Sequence, residues 1–212
     1  MAIDYNILKG KKHIHFIGIG GSGMYPLAQI LFAQGYYLTG SDNNPGDTLT
    51  AVKNMGIPVY MGHAAENIDG ADLVVYSAAI MKDNPELCAA RERKIPSIER
   101  SVLLGIVTSW YQNAVCVCGT HGKTTTSSMI TQVFMQAGLD PTTVIGGKLS
   151  LIGGSGRVGH SQNMVCEACE YVDTFLKLSP DVAVILNIDR DHMEYFKTLD
   201  NLKASFRKFA QM

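Results

Sequence analysis

Two glycine-rich turns, HFIGIGGSGM at residues 15–24 and CVCGTHGKTTTSSM at residues 116–129, each stand between an apolar run of strand length and a helical pattern. A strand that ends in glycines and continues as a helix opens a βα unit, so the chain contains two such openings about a hundred residues apart. A single nucleotide site needs only one.

The rest of the chain keeps the same rhythm. HIHFIGI precedes MYPLAQILFAQG, YYLTGSD precedes DTLTAVKNMG, IPVY follows, LVVYSAA precedes NPELCAARERK, and IPSI precedes RSVLLGIVTSW. After Trp110 the alternation restarts with AVCVCG, a helical stretch over 123–138, NMVCEA, DVAVILNI and a helix-like NLKASFRKFA. Strands alternating with helices predict parallel sheets covered by helices, in two α/β units whose boundary belongs near SWYQNA, residues 109–114. The stretch GGKLSLIGGSGRVGHS, residues 146–161, reads as an irregular, mobile surface loop.

A formal net charge of -1 supplies no general pull toward nucleic acid or an anionic membrane, so phosphate binding has to come from local geometry and a small ligand. No run approaches the roughly 20 apolar residues of a membrane helix, and the N-terminal residues lack a signal-peptide core, so a cytoplasmic location is expected. The five cysteines are odd in number. Cys116 and Cys118, and Cys166 and Cys169, sit in strand-like runs where alternate side chains point to opposite faces, so they are expected as buried free thiols rather than zinc ligands.

In the first turn, Gly18, Gly20 and Gly23 satisfy GxGxxG in the strand-to-helix context where the backbone can approach a diphosphate at a helix N-terminus. Asp42 ends the next strand, nineteen residues past Gly23, where an acidic side chain can meet a ribose hydroxyl. Taken alone this is an NAD site, and the identity of the ligand stays open.

In the second turn, Gly119, Gly122, Lys123 and Thr124 match GTxGK[ST]. The longer GxxxxGK[ST] loop would want glycine where Val117 stands. Loop amides can wrap a β-phosphate, Lys123 can reach the β- and γ-phosphates, and the Thr124 hydroxyl can ligate Mg²⁺, a pattern that points to a nucleoside triphosphate. Glu167 and Glu170 in an apolar run want a cation, and Asn187, Asp189, Asp191, His192 and Glu194 gather after the strand DVAVIL. Tyr171 and Phe175 are expected to pack rather than bind.

With HIHFIGIGGSGM, GSD, SAAI, NPE, GTHGKTTT, the EAxE segment and NIDRDHMEYF in hand, the chain resembles the Mur ligase family over nearly its whole length. The details favour the members that join L-alanine to UDP-N-acetylmuramate. The resemblance implies a Rossmann-like UDP-sugar-binding domain over residues 1–110, followed by the first part of a P-loop-type ATPase α/β domain over 111–212. It places Gly20, Gly21, Ser22, Gly23 and Met24 at the UDP diphosphate, Asp42 and His63 at the uridine part and Ser77 near the sugar nucleotide. It assigns Gly119, Thr120, His121, Gly122, Lys123, Thr124 and Thr125 to ATP, Thr124, Glu167 and His192 to Mg²⁺, and catalytic roles to Lys123 and His192.

The implied reaction has the lactyl carboxylate attack the γ-phosphorus of ATP, and the amino group of alanine then displace phosphate from the acyl phosphate. Many relatives carry EADESD where this chain has Glu167-Ala168-Cys169-Glu170-Tyr171-Val172, so roles beyond Glu167 do not carry over. Family members continue through the rest of the central domain and a C-terminal domain. The resemblance therefore implies a truncated portion that does not turn over alone and whose cut sheet edge favours self-association. Three alternatives remain: an NAD-dependent oxidoreductase, a sister ligase adding another amino acid or peptide, and a nucleotide-binding protein without catalysis.

Overall fold

A computed structural model describes residues 3–212. The chain divides into two compact units, the first ending at Leu103 and the second beginning at Leu104. The division falls inside a helix that directly precedes the 109–114 segment marked by the sequence.

The first unit is a parallel five-stranded sheet of order β3-β2-β1-β4-β5. Its strands are β1 (His13–Ile17), β2 (Tyr37–Asp42), β3 (Val59–Met61), β4 (Leu73–Tyr76) and β5 (Ser97–Glu99). Helices α1 (Tyr25–Ala33), α2 (Asp47–Asn54) and α3 (Pro85–Glu92) connect them, with a short 3-10 turn at Ala65–Ile68, and α4 (Arg100–Thr108) follows β5. Ile17 and Val74 meet Ile68, Leu87 and Ala90 in one buried cluster, so α3 and the 3-10 turn cover that sheet face. The α3 start is written locally: Asn84 Oδ1 accepts from the amides of Glu86 and Leu87, and Pro85 opens the first turn.

Strand order reverses at β1, which places a crevice at the carboxyl ends of β1 and β4. The turn after β1 lies back on β2, where Ser41 C=O accepts the amides of Gly18 and Ile19 at 2.8 and 3.1 Å. Gly40 permits this approach, since a Cβ there would stand 2.6 Å from Ile19 Cδ1.

The second unit holds a sheet of order β10-β6-β9-β7-β8, parallel except for the β7/β8 pair. Its elements are β6 (Asn113–Cys118), α5 (Lys123–Gln136), β7 (Thr142–Leu149), β8 (Gly154–Arg157), β9 (Asn163–Glu167), β10 (Val182–Ile185), α6 (Met193–Phe196) and α7 (Leu199–Phe209). A kinked 3-10 segment over Tyr171–Lys177 joins β9 to β10. Thr198 caps α7 through the Asn201 amide, and Phe206 and Phe209 pack on Phe175, with ring centroids 5.3 and 4.8 Å away.

The 146–161 stretch is not the irregular loop its composition suggested. Most of it forms the β7/β8 hairpin around a 3-10 turn at Ser150–Ile152. Its glycines serve close approach rather than mobility: a Cβ on Gly147 would stand 2.9 Å from Thr124 Cγ2, and one on Gly159 would meet Asp140 C=O at 2.2 Å.

The cysteines are free thiols. Cys116 and Cys166 are register partners on β6 and β9 with Sγ atoms 3.3 Å apart. Burial pushes the Cys118 thiol up to about 12, with the negative Glu170 adding to the effect, and the Cys116 contact and burial raise Cys166. Thiols held protonated are poor nucleophiles and poor metal ligands. Among the described residues no helix is long and apolar enough to cross a membrane.

Candidate functional site

Each unit carries one glycine turn, and each turn is braced in its own way. In the first, Asp42 is nearly buried and its carboxylate spans the turn: Oδ2 accepts the Gly20 amide at 2.8 Å and Oδ1 accepts the Asn44 amide at 2.9 Å. A Cβ on Gly20 would stand 2.9 Å from that Oδ2. Asp42 therefore shapes the turn directly. Gly21 donates to Gly18 C=O at 3.1 Å, and its own C=O accepts from Met24 and Tyr25 at the start of α1. Met24 is buried, so it offers backbone rather than side chain to a ligand. Ser22 lies at the tip, exposed.

Ser77, just after β4, stands on the far side of the crevice, its Cβ 3.9 Å from where a Cβ on Gly18 would be. His63 follows Gly62, whose amide donates to Asp42 C=O at 3.0 Å, so it emerges beside the end of β2. Sequence reasoning missed Arg100. This first residue of α4 lies along Gly23, with Nη1 3.2 Å from the position a Cβ would take there. Among the described residues its guanidinium forms no ion pair. A cation at a glycine turn suits a diphosphate.

In the second unit the loop after β6 is fixed by the segment after β10. Asn187 C=O accepts the Thr120 amide at 3.2 Å, while the Asn187 side chain accepts from His121 N and donates to His121 O, both at 2.9 Å. The Thr120 hydroxyl accepts the Asp189 amide at 2.9 Å and donates to Asp189 C=O at 3.2 Å. Thr120 thus works as a buried pin, and His121 and Thr125 are exposed. Gly119 has φ of 140° with a prospective Cβ 3.2 Å from Asn187 backbone atoms, and Gly122 has φ of 86°. Only glycine suits both positions. From Gly122 the chain enters α5, whose first amides have no intrahelical partner and face any anion in the loop.

Lys123 and Thr124 each meet a carboxylate. Lys123 Nζ donates to Gly119 O at 2.6 Å, Thr120 O at 3.3 Å and Glu170 Oε1 at 3.0 Å. It also stands 3.0 Å from Glu170 Oε2, but that oxygen is buried and receives no well-directed hydrogen bond. Thr124 Oγ1 donates to Glu167 Oε2 at 2.8 Å, and the same oxygen accepts the Gly146 amide at 2.8 Å.

His192 adopts a left-handed backbone (φ 52°), and its ring lies against that of Tyr171, tilted by 39° with centroids 4.6 Å apart. Tyr171 packs through that ring contact while remaining exposed, and Phe175 is buried as core. His192 Nε2 lies 4.0 Å from Glu170 and 3.8 Å from Asp191. Glu170, Asp191 and His192 offer ligand atoms all within 4.8 Å of one another. Two carboxylates and an imidazole form an oxygen-rich donor set, and the buried Glu170 Oε2 accepts no well-directed hydrogen bond. Both features fit a hard divalent cation. Among the described residues the clusters that could hold a metal include no cysteine.

Comparison with known proteins places these turns in a family. Residues 13–111 match the Mur ligase family catalytic domain and residues 117–212 match the Mur ligase middle domain. A UDP-N-acetylmuramate–L-alanine ligase of Caldanaerobacter subterraneus subsp. tengcongensis is 50% identical over 212 residues, which is 100% of this chain and 45% of that protein. The crystal structure of a UDP-N-acetylmuramate-alanine ligase from Thermotoga maritima superposes with a TM-score of 0.87 at 31% identity, covering 95% of this chain and 47% of that one. A UDP-N-acetylmuramate:L-alanyl-gamma-D-glutamyl-meso-diaminopimelate ligase from Neisseria meningitides gives 0.85 at 31% identity, covering 95% and 68%. The chain spans less than half the length of the curated relatives it matches. It belongs to the Mur ligase family.

Proposed function

We propose that this chain supplies the sugar-nucleotide and ATP sites of a ligase that joins L-alanine to the lactyl carboxylate of UDP-N-acetylmuramate, a step in peptidoglycan precursor synthesis. Residues 1–110 bind the UDP-sugar, with Gly20, Gly21, Ser22, Gly23, the Met24 backbone, Asp42, His63 and Ser77 around it. Residues 111–212 bind ATP on Gly119 to Thr125. The observation that carries this reading is the loop in which Lys123 and Thr124 stand at the start of α5 facing two carboxylates. Curated relatives at 47–50% identity are named for L-alanine, which favours L-alanine as the amino acid.

Phosphoryl transfer from ATP to a carboxylate brings two anions together, so the protein's part is to gather positive charge and hold groups in line. Lys123, already desolvated among carbonyls and Glu170, moves its ammonium onto the β/γ-phosphates, and the α5 amides receive phosphate oxygens. Thr124 and Glu167 would hold a bound Mg²⁺, and His192 would support a second; the cations would neutralise phosphate charge. The carboxylate oxygen attacks the γ-phosphorus and ADP departs with the bond electrons. The alanine amine then attacks the acyl carbon, phosphate leaves, and the amine's surplus proton is lost to solvent or a base.

The NAD reading is disfavoured by the match of residues 13–111 to the Mur ligase family catalytic domain. Calorimetric titration separates the readings. Saturable binding of UDP-N-acetylmuramate and of Mg-ATP, with Lys123→Met abolishing only the second, is the expected result. NADH binding with no response to the UDP-sugar would overturn the proposal.

A further inference from the structure

Beneath the first crevice lies a buried polar cluster with no assigned role. Glu86, on α3, is fully buried on the sheet face that also carries His15, Thr39 and Ser41. Its Oε1 accepts from Asn67 Nδ2 at 2.6 Å, and its Oε2 accepts from Ser41 Oγ at 2.6 Å. His63 Nδ1 sits 3.2 Å from that Oε2 and 3.1 Å from Ser41 Oγ, while His15 Nε2 stands 3.8 Å away. Burial works against ionisation of Glu86, but the nearby His15 ring and hydrogen bonds from Ser41 and Asn67 outweigh it and hold the carboxyl below its ordinary value.

These contacts determine where the His63 proton is. A carboxylate oxygen can only accept, and the Ser41 hydroxyl has already given its proton to Glu86, so it too can only accept from the ring. Both partners of Nδ1 are acceptors, and Nδ1 must therefore carry the hydrogen. Among the described residues Nε2 has no hydrogen-bond partner, and the side chain, beside the Asp42 end of β2, is 12% exposed.

We propose that Glu86 is a positioning residue for the sugar-nucleotide site: it fixes the orientation and Nδ1–H form of His63 so that Nε2 meets a polar group of the uridine moiety. The assignment rests on the sugar-nucleotide reading above. It explains why a carboxylate is kept in a sheet–helix interface that also packs Ile17, Val74, Leu87 and Ala90. Such a group is costly to bury unless it organises others.

The test uses this chain, with UDP as the probe. Long-range ¹H–¹⁵N spectra of the free protein should show His63 with a protonated Nδ1, and Glu86→Gln should alter that pattern. UDP affinity by calorimetry should fall about tenfold or more in Glu86→Gln, the loss expected for a hydrogen bond to a charged group. In a His63→Ala background the same Glu86→Gln change should produce no further loss. A thermal melt confirms that each variant is folded.

An equal loss with and without His63, or a His63 proton on Nε2 in the wild type, overturns the positioning role. Absence of UDP binding by the wild type instead overturns the sugar-nucleotide reading and with it the ligand role of His63. The tautomer, read without ligand, separates the two failures.

Discussion

Thr124 and Glu167 are joined by a 2.8 Å hydrogen bond in which the hydroxyl donates to the same carboxylate oxygen that accepts the Gly146 amide. One oxygen thus ties the start of α5 to the end of β9 and to β7. A hydroxyl that donates to a carboxylate keeps its lone pairs for a cation, and the carboxylate keeps a second oxygen.

On the proposed reading, Glu167 would serve as a metal ligand rather than a phosphate contact. Glu167→Gln should weaken ATP binding at least about tenfold in the presence of Mg²⁺, by analogy with losses at metal-supporting residues. Metal-free ATP binding should change little. Calorimetry in Mg²⁺ and in EDTA reads both; an equal loss in the two buffers would remove the metal role.

Gly146 is constrained by the same oxygen pair. A Cβ there would stand 2.8 Å from Glu167 Oε1 and 2.9 Å from Oε2, closer than side-chain carbons approach. Gly146→Ala should therefore push the carboxylate off Thr124 and lower Mg-ATP affinity, while overpacking destabilises the fold by about 1–3 kcal/mol. Unchanged affinity in the alanine variant would show that β7 yields without disturbing Glu167.

Lys123 and Glu170 form a pair in which both side chains are largely out of water, with 15% and 1% exposure. Removing one member of such a pair leaves an uncompensated buried charge, worth about 3–5 kcal/mol in deeply buried cases. The partial exposure of Lys123 puts the expectation at or below the low end of that range. Lys123→Met should lower the urea midpoint, and adding Glu170→Gln should restore most of it. A double variant as unstable as the single one would mean that the pair is not the cause.

The alternation of apolar runs made the first sheet and β6, β9 and β10 of the second legible, because parallel strands read as continuous Val, Ile and Leu segments. The β7/β8 hairpin was not legible in this way. The P-loop was legible because glycine, lysine and threonine act at fixed spacing within one turn. Gly146 and Gly147 were misread as loop residues because their reason is non-local: the atoms they make room for, on Glu167 and Thr124, lie about twenty residues away on either side. Arg100 escaped notice for the same cause, and Glu86 stood out only as the last residue of the NPE segment, without a role. Each reaches its site from a helix far along the chain, and a charged residue at the start of a helix gives no local sign of where it points. Asp42 was found as an acidic strand end, but its bond to the Gly20 amide shows a bracing role that spacing alone does not reveal.

Acid should destabilise the first unit in two stages. Burial holds the His13 imidazole below its ordinary value of 6.5, so the unfolded chain binds the proton more readily, and stability present above that pH is lost as pH falls through it. Glu86 is also depressed, from an ordinary 4.5, so its contribution is complete above that value and is lost on further acidification. Urea midpoints measured from pH 8 to 4 should begin to fall near neutrality, and His13→Gln should remove the first stage only. A midpoint flat from pH 7 to 5 in the wild type would contradict the assignment.

Arg100 offers the remaining test of the first site. Its guanidinium lies against Gly23 without an ion-pair partner among the described residues, and a diphosphate on the glycine turn would supply one. Charge-assisted, forked hydrogen bonds to phosphate are among the stronger polar contacts, so Arg100→Ala should weaken UDP binding about tenfold or more. Uridine, which lacks the phosphates, should bind both forms alike. The variant should also lose part of the salt dependence of UDP binding, since one phosphate–cation contact is gone. Arg100→Lys keeps the charge but not the fork and should fall between the two. If uridine and UDP lose affinity equally, Arg100 supports the α4 end of the unit rather than the diphosphate.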